Sequence, residues 1–185
     1  MLKFIATLLL SFSCCSSAYA RSEVRTLDDW STDMLRKLPF VDGQMTAKNY
    51  GDVSRAYVEN MTRFYTQSTE NKINAARNSG RKRAEGFFKH HRDQQIERMK
   101  AYARDTEKGV MKSLDPLRTG VVKLSDARRI LLEIAKRSDF NNNGLLEAPE
   151  ADMAEAAFVR GVDLTDPDAI DKMIYELDQD EKRWR

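Results

Sequence analysis

Cysteine is all but missing. The 185 residues hold two, Cys14 and Cys15, both within the first twenty. Beyond that stretch there can be no disulfide scaffold, no thiolate zinc site and no cysteine nucleophile. Histidine is as scarce, with only His90 and His91. Adjacent residues on a helix point in different directions, and Asp93 alone completes no set, so that pair is a poor transition-metal site. Eight glycines and four prolines argue against a turn-dense β protein. No apolar run beyond the first twenty residues approaches the roughly 20 residues of a membrane span, and mean hydropathy is −0.63. Neither charge dominates: 31 basic and 29 acidic residues leave +2, which disfavours nucleic acid as a partner of the whole chain. There is no glycine-rich phosphate loop, no nucleophile elbow and no zinc-protease helix motif. A non-enzymatic role is expected.

What is present begins with an address. Residues 1–20 combine Lys3, a short apolar run from Phe4 to Phe12 and the small-x-small Ala18-Tyr19-Ala20. This is the pattern of a signal peptide cleaved after Ala20. Lipoprotein processing at Cys14 is the rival, but Ser11 and Phe12 are poor neighbours for it. The expected product runs from Arg21, has 185 − 20 = 165 residues and is periplasmic or secreted.

Charge divides that product. Residues 21–71 carry 7 basic and 8 acidic side chains; 72–108 carry 11 and 5; 109–138 carry 7 and 3; 139–185 carry 5 and 13. A basic middle therefore precedes an acidic end. The abundance of Ala, Leu, Met, Glu, Lys and Arg predicts an all-α fold. Tyr57, Met61, Phe64, Tyr65, Ile73 and Ala76 predict a helix over 53–78 with Asp52 as N-cap and a break at Ser79-Gly80. Phe88, Ile96, Met99, Tyr102 and Ala103 predict a second helix over 81–108, with Gly86 and Gly109 as weak points. Two helices packed on each other account for these stripes. Arg81-Lys82-Arg83, Lys89, Arg92, Arg98, Lys100 and Arg104 form a basic face, either simply solvated or gripping an anionic partner.

The strongest motif runs from Asp139 to Glu150, DFNNNGLLEAPE. Asp139, Asn141 and Asn143 offer side-chain oxygens from alternate residues. Gly144 permits a sharp turn, Leu145 offers a carbonyl, Glu147 ligates directly or through water, and Glu150 closes with two oxygens. Such a set suits a hard cation that takes six to eight oxygens. Leu146 is expected in the core. A helix over 127–138 leads in, and Ala148-Pro149 opens another, where proline is welcome.

Helix, twelve-residue loop and helix resemble the EF-hand family in its short-spaced bacterial exported type. The resemblance implies Ca2+ bound by Asp139, Asn141, Asn143, Leu145, Glu147 and Glu150. A second loop starts 139 − 115 = 24 residues upstream, from Asp115 to Asp126, with Gly120 sixth and Val122 eighth. It departs from the family at Leu117, Lys123 and Asp126, and is read as a degenerate loop whose Val121-Val122 pair with Leu145-Leu146. Asp163 to Ile174 echoes only the first and eighth positions and is taken as chance. The expected organisation is a signal peptide over 1–20, a helical region with a basic segment over 21–108, and an EF-hand-like pair over 109–185 with one good and one degenerate loop. The expected function is calcium binding in a structural or partner-docking role. The alternative is an adaptor that binds an anionic surface or partner through 72–108, with the EF-hand only stabilising it. No protein partner is named by the residues.

Overall fold

A computed structural model describes residues 24–183, with side chains to 179; the expected signal peptide lies outside the described residues. The chain is mainly α-helical. In order it forms β1 (Arg25–Thr26), α1 (Leu27–Arg36), β2 (Gln44–Thr46), α2 (Ala47–Asn78), α3 (Lys82–Leu114), β3 (Val121–Lys123), α4 (Leu124–Ser138), β4 (Leu145–Leu146), α5 (Ala148–Arg160) and α6 (Ala169–Arg183). Among the described residues no helix is long and apolar enough to cross a membrane.

Local chemistry sets the helix ends. Thr26 caps α1 by accepting from the Asp29 N–H at 3.1 Å, and Thr46 caps α2 by accepting from the Asn49 N–H at 3.1 Å. The longer helix therefore starts at Ala47, six residues before the expected Val53. Asp52 is not its cap but an interior residue paired with Arg55. A Thr side chain after an extended residue outcompetes an Asp already inside the periodic stripe. The expected break at Ser79-Gly80 is present. Gly80 adopts φ +70°, and the N–H of Arg81 reaches back to the Ala76 carbonyl at 2.9 Å, turning the chain into the α2–α3 hairpin.

Gly86 and Gly109 do not interrupt α3. Gly109 has a packing reason to be glycine: a Cβ there would lie 1.7 Å from the Val159 carbonyl oxygen. The backbones of α3 and α5 meet at that point, and the buried Ser113 hydroxyl donates to the Phe158 carbonyl at 2.9 Å beside it. Gly161, with φ +70°, ends α5 against the same spot.

The main core is built from α1, α3, α4, α5 and α6. Trp30, Met34, Val110, Leu131, Ile134, Leu146 and Phe158 are almost wholly enclosed in it. Each such large apolar side chain contributes about 1.5–3 kcal/mol by burial. A smaller cluster of Tyr57, Val53, Met61, Met99 and Tyr102 holds the hairpin together.

The strands overturn one expectation. β3 does not pair with β4. β2 pairs with β3, setting Met45 opposite Val122, and β1 pairs with β4, setting Arg25 opposite Leu146. The reason is α4. Fifteen helical residues separate the ends of β3 and β4 by about 22 Å, whereas paired strands lie about 4.8 Å apart. Each strand instead meets one at the opposite end of α1. The result is an internal pseudo-repeat: strand, helix, loop, strand over 25–46, and again over 121–146. The α2–α3 hairpin is inserted between the two copies.

Candidate metal centre

The residues from Asp139 to Glu150 form a loop between α4 and β4 that continues into the first turn of α5. Asp139 ends α4 and is only 7% exposed. Its Oδ1 accepts from the Asn143 N–H at 3.1 Å and its Oδ2 from the Gly144 N–H at 2.8 Å. Gly144 takes φ +79°, the left-handed region that glycine enters without steric cost. Asn141 Oδ1 accepts from the Asn143 N–H at 3.0 Å, and Asn143 Oδ1 from the Leu145 N–H at 2.8 Å. Glu150, 6% exposed, reaches back across the loop. Its Oε1 accepts from the Phe140 N–H and its Oε2 from the Glu147 N–H, both at 3.0 Å.

The loop thus brings Asp139 and Glu150 to its two ends, tied through neighbouring backbone. Asn141 and Asn143 are exposed and fold onto the loop backbone; Leu145 lies in β4, and Glu147 is exposed just before α5. Leu146 is wholly buried, as expected from its position. Each of the six side-chain oxygens of Asp139, Asn141, Asn143 and Glu150 accepts one N–H, Asp139 Oδ1 and Asn141 Oδ1 sharing that of Asn143, so each keeps a further lone pair. Neither buried carboxylate makes an ion pair with a basic side chain among the described residues. All donors are oxygen, which fits a hard cation and not a soft one. Among the described residues no three His, Cys, Asp or Glu side chains gather as a metal group.

The 115–126 loop has the same backbone. Asp115 accepts from the Thr119 N–H at 2.8 Å and the Gly120 N–H at 2.7 Å, matching Asp139. The fourth residues, Arg118 and Asn142, take φ 55° and 56°, and Gly120 takes φ +81° beside the +79° of Gly144. The eighth residues, Val122 and Leu146, are both buried. The donors differ. Leu117 is 86% exposed and has no oxygen in its side chain, Lys123 is exposed, and Asp126 stands exposed on the first turn of α4. Burial opposes the charge of Asp115, but the Thr119 and Gly120 N–H groups and the Thr119 hydroxyl outweigh it and hold the carboxyl below its ordinary 3.8. Here the loop satisfies its acid with its own backbone.

A turn of a different kind precedes β2, closed by the Val41 and Gln44 backbones, which exchange hydrogen bonds at 2.8 and 3.0 Å. Asp42 and Gly43 take φ 51° and 75°, and Met45, two residues after the glycine, is buried in β2. Its signal in the sequence is the Asp42-Gly43 pair, which suits two adjacent left-handed residues. Elsewhere, His91 lies beside the Phe87 ring at a centroid distance of 6.0 Å. Arg81, Lys82 and Arg83 are exposed at the hairpin tip, while Lys89 pairs with Glu85 and Lys100 with Glu97.

Compared with known proteins, the chain matches no family model, no curated protein and no solved structure.

Proposed function

We propose that this is an exported, non-enzymatic calcium-binding protein whose 139–150 loop is an EF-hand-like site for one Ca2+. The observation that carries the reading is the pair of buried carboxylates, Asp139 and Glu150, at the two ends of one oxygen-lined loop with no basic side chain paired to either among the described residues. Both are held by backbone N–H groups with no counter-charge among the described residues, and a divalent cation is the counter-charge this donor set suits. Asp139, Asn141, Asn143, the Leu145 carbonyl, Glu147 and Glu150 would hold it. The ion supplies charge neutralisation and a fixed loop. β4 joins that loop to β1 and so to the start of α1, which makes calcium a brace between the two pseudo-repeats. An ion that binds only the folded loop stabilises by about 2.7 kcal/mol at a hundredfold excess over Kd. Export rests on the leader pattern ending at Ala20, and intact mass of the exported protein tests it. Calorimetric titration tests the ion.

The alternative assigns function to the basic segment 72–108. It is favoured by Phe87, 62% exposed near the tip cations Arg81, Lys82 and Arg83. Binding to anionic vesicles that falls steeply with salt and ignores calcium would select it.

A further inference from the structure

A cavity of about 960 Å³ opens between the C-terminal half of α3, the 115–120 loop, α4 and the segment that follows α5. No residue of the 139–150 loop lines it. Its size falls in the range of small-molecule sites, roughly 300–1,000 Å³. The floor is the edge of the main core: Ile130 is buried, and Met111, Val162 and Leu164 pack against that core while half-exposed. These side chains leave apolar surface facing the opening.

The mouth is cationic. Lys108, Lys112, Arg118 and Arg129 line it, all exposed, and none makes an ion pair among the described residues. Three carboxylates also line the cavity; one is paired with a cation outside the lining, and Asp163 lies within electrostatic reach of Lys112. Asp115 is tied to Thr119 and Gly120, Glu133 to Arg137 at 3.0 Å, and Asp163 to the Thr165 hydroxyl at 2.7 Å. Arg137 offsets Glu133, so the four cations outnumber the two remaining carboxylates and the lining is net positive. Arg118 is also held with φ 55°, a conformation a long side chain enters only when its surroundings impose it. The Asp115 carbonyl accepts its N–H at 3.0 Å and fixes it there.

We propose that this cavity binds an anionic amphiphile, with an apolar chain on Met111, Ile130, Val162 and Leu164 and a carboxylate or phosphate head among the four cations. Apolar contact supplies affinity and the cations choose the head. A neutral amphiphile would leave the cations as they are, and a cationic one would meet repulsion. The degenerate loop then has a use: it presents Arg118 where its partner loop presents Asn142.

The test is titration of the full mature chain with octanoate, octyl phosphate, octanol, octyltrimethylammonium and inorganic phosphate, followed by calorimetry and amide chemical shifts. One octanoate or octyl phosphate should bind per chain, about tenfold or more tighter than octanol, the scale of charge-assisted hydrogen bonds. The tighter of the two anions identifies the head. Inorganic phosphate and octyltrimethylammonium should not saturate the site. Arg118→Gln with Arg129→Gln should bring octanoate down to the octanol level, with circular dichroism unchanged. Lys108→Gln with Lys112→Gln should weaken it as well, guarding against a fold defect in the first variant. Octanol binding as tightly as octanoate, inorganic phosphate binding as tightly as octyl phosphate, or no saturable binding of either anionic amphiphile would overturn the proposal.

Discussion

The 115–126 and 139–150 loops share a backbone and differ in chemistry. Both begin with a buried aspartate that gathers the N–H groups four and five residues on. Both pass through a left-handed fourth residue and a left-handed glycine, and both sink their eighth residue into the core. Only the second has a buried acid at its far end. Glu150 bonds back across its loop, whereas Asp126 is exposed on α4. The loop conformation therefore needs only the first aspartate, the glycine and the apolar eighth residue. The proposed cation site needs the closing acid as well. One can be retained when the other is lost.

Substitutions can separate those two requirements. The largest expected effect comes from the apolar anchor. Leu146→Ala should cost about 2–5 kcal/mol, with chelator present as well as with calcium, because the lost packing lies in the core and not at the ion. Chemical denaturation in both buffers checks this.

Gly109→Ala ranks next. Gly109 sits on α3 shortly before the first loop and touches α5 after the second, and a methyl there meets the Val159 carbonyl oxygen. Forcing the helices apart should cost about 1–3 kcal/mol or more. Thermal melting should show the same loss with and without calcium.

Asp115→Asn should act through pH. The folded carboxyl lies below 3.8, so its charged form contributes stability that is present above the unfolded value and lost as pH falls through the lowered one. Wild type should lose this contribution below about pH 4; the Asn variant should start weaker at neutral pH and show a shallower acid decline. Melting from pH 7 to pH 2.5 tests the sign. Smallest of all, Arg118→Gly should raise stability by under about 1 kcal/mol, since glycine enters the left-handed region freely. Asn142→Gly should change less, as asparagine already tolerates that conformation.

Much of the helical layout could be read from the residues. Tyr57, Ile73 and Ala76 face the hairpin seam at helical spacing, Gly80 marks the turn, and Pro149 begins α5. The candidate site was legible because its chemistry is local: twelve consecutive residues specify the loop. The pairing of the strands was not. The helix over 127–138 was legible, but nothing in the sequence says that Arg25 and Met45, some hundred residues upstream, will supply the partners. α1 was missed because its ten residues are short for a periodicity argument, and its Thr26 cap is visible only once the helix is known. Gly109 was taken as a weak point since propensity is local, whereas its contact with α5 is not.

The central claim is that one ion binds, at 139–150. It is tested most directly by calcium titration calorimetry of the mature chain beside its Glu150→Gln and Asp126→Asn variants, with thermal melting in calcium and in chelator. Wild type and Asp126→Asn should bind one calcium and show the same calcium-dependent rise in Tm, while Glu150→Gln should lose most of both. Two tight ions in wild type, or an undiminished calcium shift in Glu150→Gln, would contradict it.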